Sequence, residues 1–334
     1  MTVSAAGIPR FARRASGLSA NPWFAYALRR LLGLLLVLIG LLFATFIMIR
    51  LVPGDPAQIM LGDLADAENV ANLREKLGLD QPWPQQFVSY VVSLLRGDMG
   101  TSYLTRQPVA TVIALRVADS AQLAASALAL VMIACVPVGM VAGAFTREGR
   151  HKRFEVAFTA LTSVIGSIPE YLLGTFLAFF FAVWLRVLPV AGNEGPQALI
   201  LPTLAIALRP IAVLARIVRL ETLNVLSTDY IRTAHMKRLR NRTIYFRHVL
   251  PNVLTAALTI GGLLFAGVIG GAVIVEAVFA RPGMGTALVN SINARDYPVV
   301  QGIVLVLGTT VVLVNTAVDL ILAAIDPRSM ARQS

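Results

Sequence analysis

Hydrophobic positions in this chain fall into long unbroken runs rather than amphipathic stripes. Leu31–Ile49 is free of charge for 19 residues and Ser120–Phe145 for 26. Val156–Leu185 runs for 30 residues with one acid, Glu170. Ala198–Val218 carries only Arg209 and Arg216, and His248–Val275 and Tyr297–Val318 carry no formal charge. A hydrocarbon core of about 30 Å takes roughly 20 apolar residues as a helix. Lipid offers the backbone no hydrogen-bond partner, so helices are the natural solution. The pattern predicts an all-α polytopic membrane protein with six spans.

Between the first two runs lies the one long polar segment. Asp66–Leu77 has helical spacing, with Val70, Leu73 and Leu77 on one face. Gln81-Pro82-Trp83-Pro84 breaks it. Gln85–Leu95 is a second amphipathic candidate, apolar at Phe87, Val91 and Leu95. The organisation read from this is a flexible cytoplasmic tail over 1–25 and a first transmembrane helix over 26–50. A small helical external subdomain over 51–119 follows. A transmembrane core spans 120–328 with a basic loop at 220–252, and a short cytoplasmic tail covers 329–334.

Composition agrees: 57% of residues are hydrophobic and 14% charged, with mean hydropathy +0.73. Soluble domains are about 45–50% apolar and about 25% charged. The net charge of +11 admits nucleic acid, acidic lipid or a topology signal. Its distribution decides. Arg10, Arg13, Arg14, Arg29 and Arg30 precede the first run, and Arg147, Arg150, Lys152 and Arg153 follow the second. Arg219, Arg232, Lys237, Arg238, Arg240, Arg242 and Arg247 follow the fourth, and Arg328 and Arg332 end the chain. The alternate loops hold only Arg186, Arg281 and Arg295, and the 51–119 segment is mildly acidic. The positive-inside rule puts both termini in the cytoplasm, and nucleic acid is not needed to explain the charge. The first run is too long and too far from the N-terminus for a cleaved signal peptide and reads as a signal anchor.

Catalytic motifs are missing. There is no G-x-x-x-x-G-K-[ST] and no H-E-x-x-H, nor any G-x-S-x-G. One cysteine, Cys135, sits in an apolar run, where a buried small hydrophobe is expected. His151, His235 and His248 fall in or beside the basic loops, and no metal-ligand spacing links them.

The basic loop Leu220–Asn252 is the most informative stretch. Ser227-Thr228-Asp229 offers helix N-caps, so a short helix is expected from Tyr230 to about Leu239, parallel to the membrane. A solvated basic loop on anionic lipid is the plainer reading. The segment Asp229-Tyr230-Ile231-Arg232-Thr233-Ala234-His235-Met236-Lys237-Arg238-Leu239, followed by Arg247-His248-Val249-Leu250-Pro251-Asn252, resembles the EAA loop of ABC importer permeases. That motif reads E-A-A-x3-G-x9-I-x-L-P. Arg232-Thr233-Ala234 takes its first three places, and Leu250-Pro251 closes it. Arg238 stands where the motif has glycine, and His248 where it has isoleucine. Glycine there ends the first short helix and allows the turn; arginine enters φ > 0 less readily.

Further segments resemble the dipeptide and oligopeptide permeases of the DppB/OppB type. They include Ile49–Pro56, Leu95–Ser102, Ser167-Ile168-Pro169, Leu188-Pro189-Val190, Ile200-Leu201-Pro202, Val275–Phe279, Arg281–Gly285, Ala294–Gly302, Val314-Asn315, Asp319 and Asp326-Pro327-Arg328. In this order the set is specific and runs from about residue 28 to 328. The resemblance implies a type I importer permease fold in a bacterial cytoplasmic (inner) membrane. It implies a homologous second permease of the DppC/OppC kind, two ATPase subunits and an external peptide-binding protein. ATP and magnesium would be bound by the ATPases, so this chain needs no cofactor or catalytic site. Peptides are the leading cargo, with nickel, glutathione and haem as alternatives. The coupling residues implied are Asp229, Tyr230, Arg232, Thr233, Ala234, His235, Lys237, Arg238, Leu239, Leu250 and Pro251. A stand-alone carrier or a membrane enzyme is the competing class, and either would work without ATPase partners.

Single residues add expectations. Arg209, inside a span, either lines the pathway and attracts a peptide carboxylate or forms a structural ion pair. Glu170, after helix-breaking Pro169, fits an interface, a vestibule contacting a peptide amine, or a pair with Arg209. Gly139/Gly143 and Gly267/Gly271 form G-x-x-x-G pairs that permit close helix approach. Glu276, Arg281 and Asp296 are candidate contacts for the binding protein, or else order their own loops.

Overall fold

The computed structural model describes residues 22–51, 55–61, 66–76, 78–192 and 194–325. The two tails, with Arg10, Arg13, Arg14, Arg328 and Arg332, lie outside the described residues, as do Pro53 and Gly54. Helices dominate; the one strand-like bridge among the described residues is antiparallel, between Thr101 and Pro108.

In chain order the helices are α1 (Pro22–Leu51), α2 (Pro56–Leu61), α3 (Ala67–Lys76), α4 (Trp83–Leu95) and α5 (Val109–Phe145). After these come α6 (Lys152–Ser167), α7 (Glu170–Leu177), α8 (Ile200–Leu226), α9 (Asp229–Met236) and α10 (Asn241–Ile244). The last three are α11 (Leu250–Val278), α12 (Met284–Asn293) and α13 (Tyr297–Ile325). Among the described residues four stretches, in α1, α5, α8 with its lead-in turn, and α13, are long and apolar enough to cross a membrane. Two bent pairs pass the same test together. The first is α6 with α7 and its π-helical extension Ala178–Trp184, bent by 102°. The second joins Asn241–Gly262 to Leu264–Val278 at 50°.

The 102° break has a local cause. Pro169 cannot donate a backbone hydrogen bond, and its ring drives the preceding residue out of helical geometry. Ile168 is accordingly extended, at φ −81° and ψ 128°, and α7 restarts at Glu170. α5 is 37 residues long, about 55 Å at 1.5 Å per residue. It outruns a bilayer core, and its first turns lie inside the segment read as external.

α5 and α8 run parallel and form the spine. A Cβ on Gly139 would stand 2.4 Å from Val218 Cγ1 and 2.6 Å from the Ala215 carbonyl. One on Gly143 would stand 2.8 Å from the Thr222 side chain. Only glycine permits this approach, so the first G-x-x-x-G pair is spent within the chain. At the other end of the pair Ser126 Oγ and Thr203 Oγ1 share a hydrogen bond of 2.9 Å. Cys135 is buried between them with Val131, Leu214 and Val218. Gly267 faces open space, so the second G-x-x-x-G pair packs no helix at that position.

α6 and α11 run antiparallel to α8. α13 returns along α11, where Gly262 meets Val318, and α1 returns along α13, where Gly308 meets Leu41. An ion pair between Arg30 and Asp319 ties the start of α1 to the end of α13. The bundle therefore has an α9 end and an α12 end. The α9 end gathers the C-termini of α5, α8 and α13 and the N-termini of α1, α6 and α11. The α12 end gathers the α2–α4 segment and the opposite termini.

Candidate functional site

α9 forms where the short helix was expected, but over Asp229–Met236. Thr228 holds the N-cap position without capping, because its hydroxyl donates back to the Val225 carbonyl at 2.6 Å. The C-terminus closes in a Schellman arrangement. Arg238 N–H donates to the His235 carbonyl at 2.9 Å, and Leu239 N–H to the Ala234 carbonyl at 3.2 Å. The left-handed residue that this motif requires is Arg238, at φ 53°. The turn expected from glycine is thus preserved with arginine. Left-handed geometry costs an L-residue roughly 1–2 kcal/mol, and two hydrogen bonds offset it.

α9 buries one face only. Ile231 and Ala234 pack with Val225, Leu226, Ile244, Val249 and Val253 at the foot of the α5–α8 spine. Asn252 Nδ2 sits 3.4 Å from the Tyr230 hydroxyl, and the Tyr230 and His248 rings lie 6.4 Å apart, so α9 is tied to the start of α11. Arg147 Nη1 reaches His235 Nε2 at 3.5 Å and links α9 to the α5–α6 turn. The opposite face is open. Asp229, Arg232, Thr233, Lys237 and Arg238 are exposed there, and so is Pro251; Leu250 is half-buried. Among them stand large apolar side chains: Met236 is 80% exposed, Phe246 64% and Tyr230 48%. Leu239 is exposed beside them. Large exposed apolar side chains amid cations are the kind of surface that a protein or a membrane covers.

A polar seam joins α6, α7 and α8. Arg209 Nη1 pairs with Glu170 Oε1 at 2.8 Å, and Arg209 Nε lies 3.3 Å from the Gly166 carbonyl. One guanidinium therefore holds both sides of the 102° break. The pair with Arg209, one of the arrangements open to Glu170, is present. Arg216 Nη1 donates to Ser163 Oγ at 3.0 Å further along the seam. Arg219, counted from the sequence among loop cations, is 7% exposed. Its Nε donates to Thr146 Oγ1 at 3.0 Å and its Nη2 to Glu155 Oε1 at 2.6 Å. It locks the ends of α5, α6 and α8 together. The charge pattern carried no sign of this, because a helix-end arginine looks alike whether it faces water or protein.

At the α12 end, Glu276, Arg281 and Asp296 are 1%, 2% and 3% exposed. Their side chains are turned inward and order their own loops, the other reading the sequence left open for them. Glu276 Oε2 accepts from Gly285 N–H at 2.7 Å. Arg281 Nη2 faces Asp119 Oδ1 at 3.6 Å. Asp296 accepts from Ser102 Oγ at 2.5 Å and from Tyr103 N–H at 2.9 Å. Burial pushes the Tyr103 hydroxyl up to about 12, with the Asp296 carboxylate adding to the shift. These contacts pin the α4–α5 and α12–α13 connections; α12 and its flanking turns cover the charges.

Long apolar helices and a short half-buried helix between two of them set the frame in which the relatives of this chain are read. Residues 135–330 match the family described as the binding-protein-dependent transport system inner membrane component. Residues 23–124 match the N-terminal part of such membrane components. The chain belongs to this family, the ABC importer permeases of the peptide branch, whose members lack an ATPase site of their own. A glutathione transport system permease from Pectobacterium atrosepticum is 38% identical over 90% of this chain and 97% of its own length. A probable peptide ABC transporter permease from Sinorhizobium fredii is 38% identical over 91% and 98%. An inward-facing MetNI methionine ABC transporter structure aligns with TM-score 0.52 at 20% identity, over 64% of this chain and 96% of that one. This last likeness concerns the fold.

Proposed function

We propose that the chain is one of two homologous permease subunits of an ATP-driven, binding-protein-dependent importer of dipeptides or oligopeptides. Each bent helix pair then counts as one crossing, giving six spans. The α9 end, with its basic loops, faces the cytoplasm, and both termini lie there. The carrying observation is α9 itself: anchored by Ile231 and Ala234, open at Tyr230, Met236 and Leu239. A short helix seated in a groove of a mobile ATPase passes rigid-body motion to α8 and α11, between which it hangs. Opening the pathway to one side at a time is alternating access. ATP and magnesium stay with the ATPases, and an external binding protein delivers the cargo.

The Arg209–Glu170 pair faces the pathway in this reading. Its guanidinium is about half exposed, and a charge facing hydrocarbon in mid-span costs about 2.5–3.5 kcal/mol or more. Water or protein must cover it in the assembly. Arg209→Gln is expected to slow peptide uptake in an intact complex, and Arg209→Glu with Glu170→Arg to restore part of it. Unchanged uptake in Arg209→Gln removes the pair from the pathway.

Coupling is tested by cysteine cross-linking. Tyr230→Cys and Met236→Cys, in a Cys135→Ala background, should cross-link to an ATPase subunit, and Thr255→Cys on α11 should not. No cross-link from α9 contradicts the reading. Glutathione, itself a tripeptide, is a second cargo favoured by the glutathione permeases at 38% identity. Competition of glutathione, dipeptides and nickel chelates for uptake separates the cargoes.

A further inference from the structure

The α2–α4 segment reads from sequence as an external subdomain, yet α4 is apolar on two adjoining faces. The first packs on α1. Phe87 lies 5.9 Å from Phe43 and 5.1 Å from Phe46, ring to ring, and the Tyr90 hydroxyl is 3.3 Å from Thr45 Oγ1. The second face, Val88, Val92 and Leu95, follows the helical i, i+4, i+7 spacing and has no cover. Leu95 is 83% exposed and Val88 59%. Polar residues fill the remaining arc: exposed Gln85 and Ser89, and Gln86, whose amide donates to the Leu79 and Gln81 carbonyls and so seats the end of the α3 loop.

We infer that α4 lies along the membrane plane with Val88, Val92 and Leu95 in lipid, at the leaflet of the α12 end. The inference rests on membership in a membrane family, and not on which cargo is carried. Two observations say what covers the stripe. One is continuity. The stripe extends the surface of α1, whose apolar stretch Leu28–Met48 is only 11% buried and presents Leu35, Leu36, Ile39 and Phe43 outward. The other is depth. Phe43 to Phe46, which hold α4, precede Met48 by two to five residues, about 3–8 Å along the helix. Interfacial amphipathic helices bury their apolar face about 5–10 Å into the boundary. Ser89 then points to water, Gln85 lies at the border of the stripe, and Arg96, next after Leu95, stands at headgroup level. In the orientation proposed above this is the outer leaflet, so the segment between the first two spans is held flat on the membrane.

The test uses the assembled importer in lipid nanodiscs. Single nitroxide labels are placed at Val88→Cys, Val92→Cys, Leu95→Cys, Gln85→Cys and Ser89→Cys in the Cys135→Ala background. Collision with oxygen, which concentrates in lipid, is compared with collision with a water-soluble nickel chelate. The oxygen-to-chelate ratio should be several-fold higher at 88 and 95 than at 89, with 85 and 92, only about 20° apart at the border of the stripe, in between. Equal ratios on both faces overturn the inference, because the stripe is then in water. Labels at 88, 92 and 95 shielded from both agents overturn it too, because a protein then covers the stripe. Either result leaves peptide uptake, and hence the functional reading, to stand or fall separately.

Discussion

At the α12 end of the bundle Glu276, Arg281 and Asp296 are almost sealed from solvent, while at the α9 end Tyr230, Met236, Leu239 and Phe246 lie open. Each end inverts the usual rule for its residue types. Buried charge is tolerable only with partners, and at the α12 end the partners are backbone N–H groups, Ser102 and Asp119. Exposed apolar surface is tolerable where something else will cover it. One end holds its buried charges within the chain, with Glu276 Oε1 and Arg281 Nε left without a hydrogen-bond partner, and the other leaves large apolar side chains open, as the docking proposed above requires.

This comparison predicts which substitutions harm folding and which harm only transport. The largest effect on transport is expected at α9. Met236→Ser and Leu239→Ser together should abolish ATP-driven uptake, yet move the stability of the purified chain by no more than about 1 kcal/mol, about 0.5 for each exposed position. Loss of folding in that variant would break the comparison. The largest effect on stability is expected at Gly285, where a Cβ would lie 2.5 Å from the Val273 backbone. Gly285→Ala should cost about 1–3 kcal/mol of overpacking, read as a lower midpoint of thermal unfolding. Asp296→Ala should follow. It strands the Ser102 hydroxyl and the Tyr103 N–H, at about 1–3 kcal/mol for groups left unpaired, and Asp296→Asn should recover part of the loss. The smallest effect is expected at Arg238. Arg238→Gly removes left-handed strain but frees the unfolded chain, for a net gain under about 1 kcal/mol. Uptake should be unchanged, and a fall would show that the Arg238 guanidinium itself takes part in docking.

Much of the fold was legible. The apolar runs became α1, α5, α8, α11 and α13 with ends displaced by a few turns at most, because length and hydrophobicity decide what crosses a membrane. α3, α4 and α9 followed from spacing and breakers. What stayed hidden was which way charges face. Arg219 and Glu276 sit next to polar turns, and their burial depends on helices distant in sequence. Arg238 raised the opposite difficulty. Propensity argued against a turn there, and backbone hydrogen bonds from Arg238 and Leu239 won. The Arg209–Glu170 contact was one option among several, since residue spacing does not say how far Pro169 bends the chain.

The most direct measurement is peptide uptake into proteoliposomes holding this chain, its homologous permease and both ATPases, with binding protein outside the cytoplasmic face. The account predicts accumulation that needs ATP, the binding protein and an intact α9 surface together. Uptake by this chain alone, without ATPases, would contradict it.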